Sequence, residues 1–456
     1  MSTISRTGID PTRLAELRDA ELARFARSHP RSIASHERDR DRLLYGVPMN
    51  WMTRWPGRAP IVAADAAGAH VRDIDGNEYV DFCLGDTGAM AGHAPAAAAR
   101  AIAEQVQRGI TTMLPSPDAG AVAQEMARRF GLPQWQFALT ATDANRFVLR
   151  WARHITGRDK IVVHNWCYHG SVDETFAQLA DDGSVVMRSG SVGPAIDVGT
   201  TTRVVEMNDL DGLRAALEHG DVAAVLIEPA LTNIGIVLPE PGYHDEVRAM
   251  TRASGTLLVI DETHTICCGP GGYTSAYGLD PDFLTIGKAI ASGVPAAAYG
   301  MTSEVAERIV AGTSWAHADV GGIGGTLAAN ALSLATARAT LTEVLTDEAF
   351  QLMIELAERF TDGVQRTIDE HALPWHVTRL GCRTEYLFRA QRPRTGADAA
   401  ASGDEELDAF LHLFMLNRGI LLTPFHNMAL MSPATTEADV DRHTAVFAEA
   451  AHALVG

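Results

Sequence analysis

Two apolar segments of the sequence end in charged residues that could do chemistry together. Residues 257–262 read Leu-Leu-Val-Ile-Asp-Glu, and residues 283–288 end in Gly-Lys. A carboxylate at the end of a buried strand is costly unless it has a partner or a function, and ligands of α/β sheets bind beyond the carboxyl ends of the strands. We therefore expect Asp261 and Lys288 to converge on one crevice.

An amine and a carboxylate in that arrangement suit pyridoxal 5′-phosphate (PLP). Lys288 would form a Schiff base with the cofactor, and Asp261 would pair with the pyridinium nitrogen so that the ring can accept electrons. Taken alone, the two residues favour a buried structural ion pair. Two earlier segments of the chain change that balance.

These two segments supply groups for a phosphate and for an aromatic ring. Residues 137–145 predict a strand, a turn of small residues and a helix, whose N-terminal N–H groups could bind a phosphate. Thr142 or Asp143 could instead be an ordinary N-cap. Tyr168 follows another apolar strand, so its ring could stack on a cofactor or pack in the core.

Strands and helices alternate through this part of the chain. The predicted strands are 136–141, 160–164, 222–228, 257–261, 283–286 and 297–301, and the predicted helices include 96–108, 119–129, 144–155 and 210–219. Runs of Val, Ile and Leu separated by helices predict an α/β fold with a mostly parallel sheet covered by helices.

The flanking regions have a different pattern. An amphipathic helix is predicted over 14–28, and Asp75-Gly76 between alternating apolar residues predicts a hairpin. After residue 330 we expect one long helix to about 370, strands at 375–379 and 384–389, a flexible loop over 391–404 and a final helix over 436–454. The predicted domains are an N-terminal arm with part of a small domain (1–60), a large cofactor-binding domain (61–330) and a small α+β domain (331–456).

Composition excludes several classes of partner. The 456 residues include 38 Lys+Arg against 57 Asp+Glu, a net charge of −19, which disfavours nucleic acid and anionic membrane surfaces. Five scattered cysteines without CxxC spacing predict a reduced protein with neither disulfides nor a metal site. Since no signal-like segment or apolar run of about 20 residues is present, we expect a cytoplasmic protein.

Six segments occur in an order and spacing that resemble one family. They are Thr-Ala-Thr-Asp-Ala-Asn (140–145), Tyr-His-Gly (168–170), Glu-Pro (228–229) with Asn233, Asp-Glu-Thr-His (261–264), Gly-Lys-Ala (287–289) and Gly-Gly-Thr-Leu-Ala-Ala-Asn (324–330). From about residue 60 to the C-terminus the chain closely resembles class III aminotransferases, in the branch that includes glutamate-1-semialdehyde aminomutase. The resemblance implies a fold-type I, PLP-dependent homodimer whose active sites are shared between subunits.

The resemblance also implies roles for individual residues. Lys288 is the Schiff-base lysine and later the base that moves the substrate proton, and Asp261 is the pyridinium partner. Tyr168 stacks on the ring. The other residues implied to contact the cofactor are Ala141 and Thr142 at the phosphate, His169, Glu228 and Asn233 in the pocket, His264 beside the 3-hydroxyl, and Thr326, which reaches the phosphate in the neighbouring subunit.

The chain departs from the family pattern at a few positions. In the phosphate turn, Thr140, Ala141 and Asp143 replace Ser, Gly and Glu, and Ala141 fits there if its φ is negative. Thr263 replaces the usual Val. Asn427 stands where the aminomutase carries a glutamate that helps govern its gating loop, which counts against the aminomutase reaction.

The substrates are small molecules, and most substrates of such enzymes carry a carboxylate that an arginine can hold. Arg54 and Arg383 are the candidates, with His426 as a further pocket residue; either arginine could instead have a surface role, and Arg383 could pair with Glu385. A transaminase that passes an amino group from donor to keto acceptor is the leading hypothesis. An aminomutase, a PLP lyase or an epimerase are alternatives, while a non-catalytic module is disfavoured because Lys288 and Asp261 are both present.

Overall fold

The computed structural model describes residues 6–193, 197–314 and 321–456, so small parts of the predicted arm and of the predicted large domain lie outside the described residues. The chain forms two compact units. One contains residues 1–95, 351–392 and 402–456, and the other contains residues 96–350 and 393–401. We call them the small unit and the sheet unit.

In the described residues, the strands are β1 (Ala63–Ala67), β2 (His70–Asp73), β3 (Glu78–Asp81), β4 (Gln134–Ala138), β5 (Lys160–His164), β6 (Ala177–Leu179), β7 (Val185–Met187), β8 (Thr202–Val205), β9 (Val222–Ile227), β10 (Leu257–Asp261), β11 (Phe283–Ile286), β12 (Ala297–Met301), β13 (His376–Leu380), β14 (Arg383–Leu387), β15 (Ile420–Leu421) and β16 (Met428–Leu430).

The α-helices there are α1 (Pro11–Ser28), α2 (Pro30–Asp39), α3 (Ala96–Val106), α4 (Pro117–Phe130), α5 (Ala141–Thr156), α6 (Val198–Thr201), α7 (Leu210–Leu217), α8 (Tyr243–Ser254), α9 (Gly272–Ala276), α10 (Ser303–Gly312), α11 (Ala331–Ala339), α12 (Asp347–Glu370), α13 (Gly396–Ala400), α14 (Glu405–Leu416) and α15 (Glu437–Val455).

The sheet unit is built around seven strands in the order β4-β12-β11-β10-β9-β5-β8. Only β12 runs antiparallel to its neighbours, and the other pairings are parallel. Every residue of β9 and β10 is buried, which is why these segments read as continuous apolar runs rather than alternating ones. Helices including α5, α7 and α8 pack against the strands. The predicted mostly parallel α/β sheet is confirmed.

The small unit contains two further sheets. The predicted hairpin around Gly76 joins β2 and β3, and the order of that sheet is β1-β2-β3-β15. β15, near the C-terminus, pairs in parallel with β3. β13, β14 and β16 form an antiparallel sheet.

The units divide the chain at places other than the predicted boundaries at residues 60 and 330. Residues 61–95 belong to the small unit because β3 pairs with β15. Residues 331–350 belong to the sheet unit because α11 packs against α3 and α4.

The single helix predicted from residue 331 to about 370 is wrong, because the chain leaves the helix between α11 and α12. A π-helical turn covers Thr340–Val344, and Leu345 then has φ −91° and ψ 61°. The buried guanidinium of Arg129 donates hydrogen bonds to the carbonyl oxygens of Leu341 and Leu345. These carbonyls are thereby satisfied without a continuing helix.

The segment predicted as a flexible loop over 391–404 is also different. It contains the short helix α13, and the Gly396 N–H donates to Glu206 Oε2 at 2.9 Å. Arg394 pairs with Glu240 at 2.6 Å. These contacts hold residues 393–401 against the sheet unit, although their composition of Ala, Gly, Arg and Asp is typical of a loop.

Two further features bear on the sequence predictions. None of the five cysteines is in a disulfide. In the parts of the chain that the structure describes, no helix is both long enough and apolar enough to cross a membrane.

Candidate active site

Lys288 and Asp261 lie at the same edge of the seven-stranded sheet. Asp261 is the last residue of β10 and faces Thr285 of the parallel neighbour β11. Lys288 follows two residues after the end of β11, and its Nζ lies 2.9 Å from Nε2 of His264. The backbone of Lys288 is in the left-handed region, with φ 51°. The structure thus brings Asp261 and Lys288 to one edge, where the order of strands and charges had placed them, together with His264, which the resemblance had implied.

Asp261 is buried and held by several donors. Its Oδ2 accepts hydrogen bonds from Nδ1 of His169 at 2.9 Å and from Nδ2 of Asn145 at 2.8 Å, and its Oδ1 accepts from the N–H of Thr263 at 3.1 Å. Burial alone would raise the pKa of the Asp261 carboxyl, but the hydrogen bonds and the charge of His169 outweigh it and lower the pKa. The carboxylate therefore stays ionised at neutral pH.

His169 is the main partner of that carboxylate, and it is itself buried. Burial opposes its charged form, whereas Cys167 and Asp261 favour it, and the pKa of His169 is raised. A protonated imidazole next to an ionised carboxylate forms a compensated buried pair.

Helix α5 begins beside this edge. Its first residue is Ala141, and Thr140 caps it by accepting a hydrogen bond from the N–H of Asp143 at 3.2 Å. The N–H groups of Ala141 and Thr142 have no acceptor among the described residues, as expected at the start of a helix. The predicted strand 136–141 starts two residues after β4 begins and ends three residues after β4 ends, and the predicted helix 144–155 starts three residues late, because the Thr140 cap lets the helix start at Ala141.

The start of α5 also touches the chain next to the lysine. A Cβ placed on Gly287 would lie 3.1 Å from both the N and the Cβ of Ala141. The helix N-terminus is therefore packed directly against the residue that precedes Lys288. This contact puts a helix N-terminus, whose N–H groups can bind a phosphate, next to the backbone that carries Lys288.

The loop that carries Tyr168 closes over the same helix. A Cβ on Gly170 would lie 2.1 Å from Oγ1 of Thr142, and Gly170 has φ +76°. The N–H of Ser171 donates to the same hydroxyl at 3.0 Å. Tyr168 is 40% exposed, and its ring makes an edge contact with Phe176 at 6.4 Å between centroids, so a flat ligand can reach it.

Glu228 and Asn233 support this loop from beneath. The buried Glu228 accepts hydrogen bonds from the Tyr168 N–H at 3.4 Å and from the Thr232 hydroxyl, and burial raises its pKa. Asn233 donates through Nδ2 to the carbonyl of Trp166 at 3.4 Å. Both predicted pocket residues thus bind the loop between residues 166 and 168.

Thr326 lies apart from these residues. It is exposed in a turn that follows Gly324 and Gly325. Within one chain it makes no hydrogen bond to the described residues around Lys288.

A family comparison decides what kind of protein carries this arrangement. The family model "Aminotransferase class-III" matches residues 52–450. The chain belongs to this family. Its matched region includes all the described residues around Lys288.

Individual class-III relatives agree with the assignment. Residues of the chain are 33% identical over 390 positions, 84% of this chain and 89% of the relative, to a glutamate-1-semialdehyde 2,1-aminomutase of Desulfitobacterium hafniense (strain DSM 10664 / DCB-2). A solved structure of a glutamate-1-semialdehyde-aminomutase from Pseudomonas aeruginosa PAO1 is 51% identical, has a TM-score of 0.96 and covers 98% of this chain and 100% of its own. A lysine-to-alanine variant of that protein was solved in complex with PMP.

A solved structure whose name gives a different activity shares the fold as well. A β-phenylalanine aminotransferase from Variovorax paradoxus is 27% identical, with a TM-score of 0.84 over 96% of this chain and 97% of its own. These likenesses confirm the predicted fold-type I architecture.

In this member of the class-III family, two of the predicted substrate residues lie in a buried polar cluster of the small unit. Arg383 is 1% exposed and donates to Glu385 Oε2 at 3.1 Å. His426 Nδ1 lies 3.1 Å from the other oxygen of that carboxylate. Burial would raise the pKa of Glu385, but His426 and then Arg383 lower it. The ion pair that the sequence left open for Arg383 is therefore present.

Arg54 has a different environment within the small unit. It ends the 3-10 helix Asn50–Arg54, is exposed, and lines an open pocket of about 520 Å³ together with aromatic side chains. Trp51 and Phe425 make an edge contact there, with ring centroids 6.2 Å apart. A guanidinium that lines a pocket with aromatic rings can receive a carboxylate with an apolar neighbour.

Asn427 is buried and tied to its own unit. Its Nδ2 donates to Asp408 Oδ1 at 2.7 Å, and its Oδ1 lies 3.1 Å from His412 Nε2. Both ends of the Asn427 amide are thus engaged, and the position offers no carboxylate of the kind that the aminomutase resemblance implies.

The sequence analysis missed two residues that bind the Asp261 cluster. Asn145 donates to Asp261, and Thr285 donates to Asn145. The spacing of four residues between Ala141 and Asn145 puts both on one face of α5. That spacing was the signal in the sequence that could have pointed to Asn145. It indicates a role for Asn145 only when it is known which face of α5 packs against the sheet.

Proposed function

We propose that the chain is a PLP-dependent aminotransferase that moves an amino group from an amino-acid or amine donor to a keto-acid or aldehyde acceptor. The observation that carries the proposal is the arrangement at one sheet edge: the Lys288 amine, the ionised Asp261 carboxylate, and the N-terminus of α5, whose Ala141 packs against Gly287. The cofactor is PLP, and Lys288 and Asp261 are the catalytic residues.

The residues fit the three ends of this cofactor. The free N–H groups of Ala141 and Thr142 and the space kept by Gly170 suit a phosphate. The ionised Asp261 suits a protonated ring nitrogen, since it stays charged without a ligand. The exposed Tyr168 ring suits stacking on the pyridine.

When bound, PLP supplies a carbon that condenses with amines and a ring that accepts electrons. Lys288 would hold this cofactor through its Nζ, and the same amine would move a proton to and from the substrate carbon. His264 orients Nζ, because its Nε2 is 2.9 Å away. His169 keeps Asp261 charged and acts on the cofactor through that carboxylate.

Glu228 and Asn233 act by fixing the loop that presents Tyr168. His264 would lie beside the 3-hydroxyl of the cofactor. The proposed assembly is a homodimer with shared sites, in which Thr326 reaches the phosphate of the neighbouring subunit. Its exposure in a single chain supports this role, because a residue that serves another subunit has no partner site in its own.

For the substrate carboxylate, Arg54 is the better candidate of the two arginines. Its guanidinium is exposed beside aromatic rings, whereas Arg383 and His426 already compensate the buried Glu385. Removing either of these from Glu385 to bind a substrate would leave a buried carboxylate poorly compensated.

A 2,1-aminomutase is the second candidate, and the comparisons favour it: the relatives described above carry that name at 33% and 51% identity. Asn427 supports the aminotransferase, because it offers an amide where the aminomutase has a glutamate. A lyase or an epimerase would use the same Lys288 and Asp261.

The visible absorbance of the PLP-loaded protein, mixed with single amino donors and no acceptor, tests the proposal. We expect one class of donor to convert bound PLP to pyridoxamine phosphate and a keto acid to restore it. Conversion of glutamate-1-semialdehyde at a high rate without any added keto acid, together with no response to other donors, would instead establish the aminomutase. A protein that does not bind PLP would refute both.

A further inference from the structure

Asn145 joins three elements of the candidate site. It lies in α5, one helical turn after Ala141, and is fully buried. Its Nδ2 donates to Asp261 Oδ2 at 2.8 Å and to the carbonyl of His169 at 3.3 Å. Its Oδ1 accepts from the hydroxyl of Thr285 at 2.6 Å. One side chain therefore links helix α5, the strand β10 that ends in Asp261 and the strand β11 that leads to Lys288.

The orientation of the Asn145 amide is determined by its neighbours. The NH2 group faces two acceptors, a carboxylate and a carbonyl, and a flipped amide would put an oxygen against both. The Thr285 hydroxyl, buried on β11 opposite Asp261, donates to the oxygen end and excludes the flip.

Among the described residues, the donors to the Asp261 carboxylate occupy its Oδ2 more fully than its Oδ1. An ionised carboxylate has about four lone-pair positions. Two on Oδ2 are used by His169 and Asn145, and one on Oδ1 is used by the N–H of Thr263. Asn145 and His169 thus fix which oxygen is available to a further donor.

We infer that Asn145 and Thr285 are positioning residues that set the Asp261 carboxylate at a fixed distance from the phosphate end of the site. The inference rests on the proposed function, since PLP is the molecule whose two ends they would align. They do not contact the reacting atoms. Their effect on catalysis passes through Asp261.

The test measures the affinity of the full-length apoprotein for PLP by equilibrium dialysis, and kcat and KM with an amino donor. Thr285→Val removes the hydroxyl at nearly constant volume and is expected to weaken PLP binding about 5- to 10-fold, while Asn145→Ala removes a bond to a charged group and is expected to weaken it about 10- to 100-fold. Thr285→Ser keeps the donor and should restore binding to within about 3-fold of wild type.

The kinetic constants distinguish a positioning role from a general loss of structure, because a general loss of structure would not lower kcat while leaving KM nearly unchanged. Because the two residues act through Asp261, kcat should fall in both variants while KM for the donor changes by less than about 3-fold. Thr251→Val serves as the control: Thr251 is equally buried, in α8, and its hydroxyl bonds only the carbonyl of Arg248. Its PLP affinity should equal that of wild type.

Wild-type PLP affinity in Thr285→Val, or an equal loss in Thr251→Val, overturns the inference. If Asn145→Ala does not fold, the comparison of Thr285→Val with Thr285→Ser decides, and no difference between them overturns it. A wild-type protein that fails to bind PLP would refute the proposed function itself.

Discussion

Gly170 and Thr142 are packed so closely that residue 170 has no room for a side chain. A Cβ on residue 170 would lie 2.1 Å from Oγ1 of Thr142 and 2.9 Å from its Cα. The second distance involves backbone, so rotation of the threonine side chain cannot relieve the clash. The loop after Tyr168 is thereby held against the start of α5.

Gly170→Ala is expected to weaken PLP binding by about 10-fold or more and to destabilise the fold by about 1–3 kcal/mol, because both the clash and the positive φ oppose a Cβ. The free energy of urea unfolding and the Kd for PLP measure the two effects. Gly157→Ala is the control, since Gly157 ends the same helix with φ +67° but has open space around it. Equal PLP affinities in the two variants would show that the loop contact is irrelevant to the cofactor.

Asp261→Asn should keep the shape of the site and remove its negative charge. Since the pKa of Asp261 is lowered by its partners, the wild-type residue is charged throughout the neutral range. Loss of this charge at the ring nitrogen is expected to reduce kcat by about 100-fold or more. Steady-state kinetics measure it, and a kcat within twofold of wild type would show that another group supports the ring.

His169→Gln should make the protein less stable in a pH-dependent way. The pKa of His169 is raised above 6.5 in the folded state, so its stabilisation is fully present below pH 6.5 and is lost as the pH rises toward the folded-state pKa. The difference in unfolding free energy between wild type and variant should therefore shrink from pH 6.5 upward. A difference that stays constant or grows up to pH 9 would contradict a charged His169.

Arg383→Ala should destabilise the fold by about 3–5 kcal/mol, because it leaves the buried Glu385 carboxylate with the His426 imidazole but without the guanidinium that pairs with it. Arg379→Ala, in the neighbouring strand, removes a partly exposed ion pair with Glu358 and should cost about 0–1 kcal/mol. Denaturant unfolding compares them. If the two variants were equally stable and only Arg383→Ala had a raised KM, Arg383 would be a substrate-binding residue rather than a structural one.

Arg54→Ala is expected to show the opposite behaviour. Arg54 is exposed, so its removal should leave the unfolding free energy unchanged while raising KM for donors that carry a carboxylate by about 10- to 100-fold. An amine donor without a carboxylate is the internal control and should be unaffected. Unchanged KM for both donors would exclude Arg54 from the substrate site.

The sequence predicted the parts of the fold that depend on local pattern. Buried parallel strands need continuous apolar runs, so β9, β10 and β11 were recognisable, and the charges after them pointed to the site edge. Asn145 was not recognisable, because its role depends on which face of α5 meets the sheet.

Long-range contacts decided the features that local pattern could not. The helix after residue 331 breaks where Arg129 donates hydrogen bonds to the carbonyl oxygens of Leu341 and Leu345. Arg129 lies some 200 residues earlier in the chain. The segment 393–401 is ordered by Glu206 and Glu240 rather than by its own composition.

The chain offers a direct test of the central claim, because its only two lysines are Lys160 and Lys288. Lys160 begins β5, and Lys288 follows the end of β11, so they lie at opposite edges of one largely parallel sheet. Lys160→Arg leaves a single lysine amine and should still bind PLP.

The decisive measurement is borohydride reduction of the PLP-loaded protein followed by mass spectrometry of its peptides. We expect one phosphopyridoxyl group on Lys288 in wild type and in Lys160→Arg, and none in Lys288→Ala, whose fold should remain intact by circular dichroism. A label on Lys160, or no label on either lysine in a protein saturated with PLP, would contradict the assignment of Lys288.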